Sequence, residues 1–135
     1  PAASCRGILA PMSEVLAAAP GVAAGCARLV TCLCAAWCDT CAAYRAAFAA
    51  LAQRHADARF VWLDIEDQEE LLGGLEVENF PTVLIAAGDE VRFFGTITPQ
   101  PETLARLLRA HLDEGARAGG IGDLPGALLR RLRGG

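Results

Sequence analysis

The hydrophobic pattern of the chain changes period close to residue 37. Residues 28–34 form a short, almost wholly apolar run, which is typical of a buried β-strand. After Trp37 the larger apolar side chains recur at helical spacing, as Tyr44, Phe48 and Leu51, and this predicts a helix over residues 38–54. A strand that leads directly into a helix begins a strand–helix–strand unit, so we expect a sheet that contains parallel strands.

The rest of the chain extends this alternation of strands and helices. Gly88-Asp89 lies between two β-type runs and predicts a tight hairpin, and Pro20-Gly21 ends an alanine-rich run that Ser13 is placed to cap. The order helix, strand, helix, strand, helix, strand, strand, helix predicts an α/β sandwich. Its central mixed sheet has four or five strands, with helices on both faces. The predicted strands are 28–34, 60–65, 81–87 and 90–94, and the predicted helices are 15–19, 38–54, 66–72 and 101–112.

The length of 135 residues suits one domain, and a hydrophobic content of 53% allows a sizeable core. Residues 1–27 are predicted to be an N-terminal extension with one helix that belongs to the fold, and residues 28–118 to be the domain proper. A glycine-rich break introduces a C-terminal tail over residues 119–135. The tail has the spacing of a short amphipathic helix, in Leu124, Leu128, Leu129 and Leu132.

Charge and residue usage exclude several classes of function. The net charge is −4 without a long basic run, which argues against a nucleic-acid partner held by phosphate contacts. All twelve basic residues are arginine, so lysine Schiff-base chemistry and a phosphate-loop lysine are excluded.

No apolar run approaches the roughly 18–20 residues of a membrane span. Residues 1–7 lack a secretory pattern, so we expect a cytoplasmic protein, or a periplasmic one if a leader was removed.

Four of the six cysteines fall within ten positions, at Cys32, Cys34, Cys38 and Cys41. Two cysteines spaced i and i+3 on the first turn of a helix can reach each other and form a disulfide. The helix N-terminus stabilises a thiolate at Cys38, which is the form that attacks disulfides. Asp39 opposes this through like-charge repulsion. The pattern predicts a nucleophile, Cys38, and a resolving partner, Cys41.

Residues 28–112 resemble the thioredoxin family. The resemblance lies in a strand that enters Ala-Ala-Trp37-Cys38-x-x-Cys41, the helix after it, and Phe80-Pro81-Thr82 before a hairpin. It implies a thioredoxin-like fold and a thiol–disulfide oxidoreductase that acts on protein or peptide disulfides through the Cys38–Cys41 pair. It also implies a cis bond before the proline, on a loop that faces the cysteines. The substrate-contact residues that it implies are Trp37, Phe80, Pro81 and Thr82.

The chain departs from the family pattern near the cysteines. Cys32 stands where many members carry a buried acid, six residues before the first active-site cysteine, and Trp62 stands where a lysine often pairs with that acid. Asp39-Thr40 replaces Gly-Pro, and Ala46 replaces a helix proline. These departures keep a second hypothesis open, in which the chain is a binding or assembly module of this fold with weak or no turnover.

A third hypothesis is a metal-thiolate protein, because four cysteines are enough ligands for zinc or an iron–sulfur cluster. Cys32 and Cys34 share one face of a stiff strand, which disfavours their convergence with the helix start. We therefore expect no metal site and regard both as small buried hydrophobic residues. A sharper alternative is that Cys32 forms another disulfide or relays a proton to Cys41.

No nucleotide-binding motif is present, so no cofactor is expected. A separate thiol reductant or reductase must then regenerate the cysteine pair. Cys5 and Cys26 flank the first predicted helix and are expected to be ordinary thiols, bridged or free.

Overall fold

A mixed sheet forms the centre of the fold in the computed structural model, which describes residues 15–134. Its strands are β1 Val15–Ala17, β2 Arg28–Cys34, β3 Ala58–Asp64, β4 Thr82–Ala87 and β5 Glu90–Thr96. They lie in the order β1-β3-β2-β4-β5. β3 is parallel to β1 and to β2, whereas β4 is antiparallel to β2 and to β5. The predicted mixed sheet, with a parallel pair and a closing hairpin, is confirmed.

Helices cover both faces of this sheet, as predicted. In the described part of the chain they are α1 Asp39–Arg54, α2 Glu69–Leu72, α3 Pro101–Leu108 and α4 Leu124–Arg133. α3 continues into one wider, π-helical turn over Arg109–Asp113. α1 and α3 bury their apolar sides on one face of the sheet, and α2 and α4 do so on the other. None of the helices within residues 15–134 is long and apolar enough to cross a membrane.

The alternation of side chains along β2 determines which residues face α1. Val30, Cys32 and Cys34 belong to the core on the α1 side, whereas Leu29 and Leu33 belong to the core on the α4 side. β2 lies between β3 and β4, so both of its faces are buried. This central position explains its almost wholly apolar sequence, and it places two cysteines beneath the start of α1.

The predicted first helix is wrong where the structure describes it. Val15–Ala17 is a strand, β1, which pairs in parallel with Phe60, Val61 and Trp62 of β3. The backbone bonds that this edge pairing supplies outweigh the helical preference of an alanine-rich segment. Ser13 and Glu14, the predicted cap of that helix, lie outside the described residues.

Near the C-terminus, residues 124–133 form helix α4, which packs on the sheet. Leu128, Leu129 and Leu132 are at most 1% exposed in the core shared with α2. Arg131 donates from Nη1 to the Leu71 carbonyl over 2.7 Å, and Arg133 donates to several carbonyls near the start of β2 and in the β4–β5 turn. Residues 124–133 are therefore an integral layer of the fold.

Truncating a buried leucine of α4 is expected to destabilise the whole domain. Leu128→Ala removes a fully buried side chain and leaves a cavity, so we expect the free energy of unfolding to fall by about 2–5 kcal/mol. Urea titration followed by circular dichroism measures the loss. Leu124→Ala is the matched control, because Leu124 is 46% exposed on the same helix, and its loss should be well under half as large. Equal losses in the two variants would show that α4 does not pack as described.

Candidate active site

The candidate site lies where β2 ends and α1 begins. Cys38 is the N-cap residue of α1, and its thiol is free and partly exposed. Its N–H donates to the Ala35 carbonyl over 3.0 Å, and its carbonyl accepts from the Ala42 N–H over 3.1 Å. These bonds hold the Cys38 backbone at the start of α1.

Cys41 is joined to Cys34 in a disulfide. The two Cα atoms are 5.8 Å apart, within the usual range for a disulfide, and each residue is 1% exposed. The expected Cys38–Cys41 disulfide is therefore not the one that this structure contains. The use of Cys38 and Cys41 as a catalytic pair stays a prediction.

The expectation that Cys34 is only a small buried hydrophobic residue is wrong. Cys34 is the last residue of β2 and faces α1, so its sulfur meets Cys41 one turn into the helix. Cys32 lies two residues back on the same face, as predicted, and remains a free thiol with its Sγ 3.7 Å from the Cys34 Sγ. The alternative disulfide that the sequence suggested for Cys32 is formed by Cys34 instead.

The Cys32 thiol is held in its neutral form. Burial raises its pKa well above the ordinary value, and the Arg45 guanidinium opposes this only in part. Nearby Tyr44 is also buried, and its pKa is raised first by burial and then by Cys32. The Tyr44 hydroxyl has no hydrogen-bond partner among the described residues. The position where many family members carry an acid is therefore occupied here by a neutral thiol in an apolar environment.

Trp62 lies beside Cys32 in the sheet. The two residues are opposite each other in the β2–β3 pairing, and the Trp62 ring packs against Phe48 with centroids 5.7 Å apart. The Arg45 Cζ lies 4.8 Å from the centroid of the Trp62 ring. This cation–π contact brings a positive charge to the edge of the buried cysteine cluster.

The partly exposed Cys38 is bordered by aromatic surface. Trp37 is 64% exposed, and its ring meets Phe80 edge-on with centroids 5.6 Å apart. The Trp37 Nε1–H donates to Glu66 Oε2 over 3.1 Å, a contact that the sequence did not suggest. The Phe80–Pro81 bond is cis, as the resemblance implied. An exposed apolar surface beside a free thiol is suited to hold the chain of a peptide substrate.

Pro81 and Thr82 lie behind this aromatic surface. Both are buried, and the Thr82 hydroxyl donates to the Asn79 carbonyl over 2.7 Å and contacts the Thr96 hydroxyl at 3.2 Å. The Thr82 side chain thus holds the loop that presents Phe80. Among the four predicted contact residues, Trp37 and Phe80 are the ones whose side chains reach the surface.

The predicted ligand set for a metal-thiolate site is altered by the disulfide. Cys34 and Cys41 supply no thiolate while they are joined. Within residues 15–134, no group of three or more His, Cys, Asp or Glu side chains is arranged to hold a metal ion. Cys5 lies outside the described residues, and Cys26 is buried and is not a free thiol.

Comparison with known proteins points to one family. A thioredoxin family model matches residues 22–109, whereas no curated protein sequence matches the chain significantly. The short form of thioredoxin f from spinach chloroplast is 23% identical with a TM-score of 0.62, over 73% of this chain and 94% of its own. Thioredoxin from Trypanosoma brucei brucei is 18% identical with a TM-score of 0.67, over 80% and 99%. Thioredoxin f2, solved with ferredoxin:thioredoxin reductase, is 22% identical with a TM-score of 0.63, over 73% and 96%.

These structural similarities show a shared fold. The match of the family model covers well over half of the chain, from before β2 to the end of α3, and it includes the cysteine cluster and the cis-proline loop. The chain belongs to the thioredoxin family.

Proposed function

We propose that the protein is a thiol–disulfide oxidoreductase that exchanges disulfides with protein or peptide substrates. The observation that carries this proposal is the setting of Cys38. Its thiol is free and partly exposed at the N-terminus of α1, and its chain neighbour, the exposed Trp37, packs against Phe80 of the cis-proline loop. A nucleophilic sulfur in reach of solvent, beside a surface for a peptide, is what disulfide exchange requires.

The catalytic cycle begins from the reduced site. The Cys38 thiolate attacks one sulfur of the substrate disulfide, forms a mixed disulfide and expels the other substrate sulfur as a thiolate, which takes up a proton. The Cys41 thiolate then attacks the Cys38 sulfur, which forms the Cys38–Cys41 disulfide and releases the second substrate thiol. The substrate gains two electrons and two protons, and the enzyme loses them.

Burial distinguishes the two free thiols of the described chain. Cys38 is partly exposed, whereas Cys32 is fully buried, and burial raises the Cys32 pKa so that this thiol stays protonated. Since the thiolate is the attacking species, Cys38 is the nucleophile.

Regeneration requires a partner that supplies electrons. The structurally similar thioredoxin f2 was solved in complex with ferredoxin:thioredoxin reductase. For this chain we assign the role to a separate protein reductase or a small thiol, which reaches the disulfide by way of Cys38.

Trapping the mixed disulfide tests the proposal. Cys41→Ser removes the resolving sulfur, so incubation with insulin should yield a covalent adduct that dithiothreitol dissolves and that peptide mapping places on Cys38. The double variant Cys38→Ser/Cys41→Ser is the control and should give no adduct. An adduct on another cysteine, or none on Cys38, would contradict the proposed nucleophile.

Trimming the aromatic surface should affect large substrates selectively. Trp37→Ala removes an exposed ring beside Cys38, so we expect kcat/KM for a protein disulfide to fall about tenfold, as for an interface anchor. The rate with the small disulfide 5,5′-dithiobis(2-nitrobenzoate) should stay unchanged, because that molecule needs no peptide groove. Parallel kinetics with the two substrates make the comparison. A parallel loss with both would mean that Trp37 acts on the thiol itself.

One observation favours a second candidate function, a binding or assembly module. While Cys41 is bonded to Cys34, Cys38 has no resolving thiol, so a mixed disulfide formed at Cys38 would persist. For such a module, a Cys38→Ser variant would still bind its partner, whereas an oxidoreductase would lose its turnover.

A further inference from the structure

The site contains four cysteines, and they are not equally exposed to solvent. Cys38 is partly exposed, Cys41 and Cys34 are each 1% exposed, and Cys32 is fully buried. The bond between Cys34 and Cys41 joins the end of β2 to the first turn of α1, and the Cys32 Sγ lies 3.7 Å beyond the Cys34 Sγ. The reaction proposed above uses Cys38 and Cys41 and leaves Cys34 without a role.

We propose that Cys34 is a third redox cysteine of this site, and that a disulfide passes between a surface pair, Cys38–Cys41, and a buried pair, Cys34–Cys41. This inference rests on the proposed function, because it requires that Cys38 and Cys41 exchange disulfides. It adds a state in which the site is oxidised and Cys38 is nevertheless a free thiol.

The transfer is an isomerisation that needs no external oxidant. The Cys38 thiolate attacks the Cys41 sulfur, the Cys38–Cys41 bond forms, and the Cys34–Cys41 bond breaks. Cys34 leaves as a thiolate and takes up the proton that Cys38 has lost. The reverse step begins with the Cys34 thiolate and returns the disulfide to the buried pair. One disulfide and the same number of thiols are present before and after, so the oxidation state is unchanged.

Cys41 is the pivot because it is the residue that the surface pair and the buried pair share. Cys38 precedes it by three residues, so both belong to the first turn of α1, where such a pair can approach. Cys34 approaches it from the strand below, with the Cα atoms 5.8 Å apart. Cys32 faces Cys34 and takes no part in the exchange, because burial keeps its thiol protonated.

The buried pair changes what the site can do. With Cys41 bonded to Cys34, Cys38 can attack a second substrate disulfide, but Cys41 cannot resolve the mixed disulfide that results. Release then depends on a small external thiol that attacks this mixed disulfide. The protein would thus use both Cys38 and Cys41 when it is fully reduced. It would use Cys38 alone when the Cys34–Cys41 disulfide is present.

The location of free thiols in the oxidised protein tests the inference. The intact wild-type chain is oxidised with one equivalent of diamide, quenched in acid, and labelled with N-ethylmaleimide after denaturation. The two isomers have equal mass, but one leaves Cys34 free for the label and the other leaves Cys38 free. Trypsin releases all four cysteines on one peptide, residues 29–45, because no arginine lies between Arg28 and Arg45. Fragmentation of this peptide locates the label.

The inference predicts both labels, with the Cys38 label on at least about a tenth of the oxidised molecules. When the oxidised protein is labelled in its native state for longer times, the fraction of molecules labelled at Cys38 should rise above its value after the acid quench. Alkylation of Cys38 removes the isomer with the buried pair from the equilibrium, so molecules with the surface pair convert into it. Finding one isomer alone would overturn the inference. A Cys38 fraction that stays at its acid-quench value would also overturn it.

Two variants test whether Cys34, and not its neighbour Cys32, takes part in the exchange. Cys34→Ser should abolish the Cys38 label in the oxidised protein, because only the surface pair can then form. Cys32→Ala, a buried cysteine on the same strand face, should leave both labels in place. If insulin reduction remains while only the surface pair is found, the inference about Cys34 fails and the proposed function stands. If Cys38 also fails to exchange with insulin, the proposed function fails.

Discussion

Cys38→Ser is expected to lower the rate of insulin disulfide reduction by at least about a thousandfold, as for removal of a catalytic nucleophile. A hydroxyl stays protonated at neutral pH and does not attack disulfides, so the mixed disulfide cannot form. Within residues 15–134, the other cysteines of the cluster are poorly placed to replace it. Cys34 and Cys41 are each 1% exposed, and Cys32 is fully buried with a pKa that burial raises. Steady-state insulin turbidity with excess dithiothreitol, corrected for the rate without protein, measures the loss.

Cys32→Ala is the control for this prediction, because it removes a thiol from the same cluster and leaves the proposed nucleophile, Cys38, in place. Its rate should stay close to that of the wild type. Substantial turnover by Cys38→Ser would contradict the account, since it would mean that the buried Cys34–Cys41 pair exchanges directly with substrates.

Phe48→Ala is expected to reduce the free energy of unfolding by about 3–5 kcal/mol. Phe48 is fully buried at the centre of α1, and its ring packs against Tyr44, Phe60 and Trp62 with centroids 6.3, 5.2 and 5.7 Å away. Truncation removes these aromatic contacts and leaves a cavity between the helix and β3. Guanidinium titration followed by circular dichroism measures the change.

Phe94→Ala is the matched control, because Phe94 is partly exposed and packs on the opposite face of the sheet. The loss of stability in Phe94→Ala should be smaller, because the Phe94 side chain buries less apolar surface in the folded protein than Phe48 does. If Phe94→Ala destabilises as strongly as Phe48→Ala, the packing of α1 on β3 is not the main anchor of the site. Because α1 carries Cys38 and Cys41, this anchor also holds the two sulfurs at the end of β2.

The sheet and most helices could be predicted because their signals are local. The apolar run of β2, the helical spacing of Tyr44, Phe48 and Leu51, and the Gly88-Asp89 turn each follow from neighbouring residues alone. β1 could not be predicted in this way. Three residues with alanine-rich neighbours have no strand signal of their own, and their conformation depends on the parallel edge of β3.

The candidate site, like the fold, could be predicted only in part from the sequence. The place of Cys38 at a helix start, the exposed Trp37 and the cis-proline loop follow from the motif and its resemblance, and the role of Cys38 as nucleophile stays a prediction. The disulfide of Cys34 could not be predicted in this way. Strand alternation determines which face of the sheet Cys34 lies on, but it does not determine the distance between Cys34 and the helix that follows. Its position as the last residue of β2, four residues before Cys38, is the signal that indicates contact with the first turn of α1.

The departures from the family pattern form one connected environment in the structure. Cys32 occupies the position of the acid as a neutral buried thiol, Trp62 packs opposite it, and Arg45 lies over the Trp62 ring. A chain without an acid at this position has no carboxylate to accept a proton from Cys41. In the proposed resolving step, Cys41 must therefore lose its proton without help from a buried acid at this position.

An equilibrium redox titration in glutathione buffers, read by acid-quenched alkylation and intact mass, will show whether these cysteines form a redox pair. We expect one reversible two-electron transition, in which the Cys41 thiol is lost together with the thiol of Cys38 or Cys34. Peptide mapping across the transition identifies the sulfurs that pair. If Cys38 and Cys41 stay open to alkylation over the whole range of buffers, the protein is not a thiol–disulfide oxidoreductase.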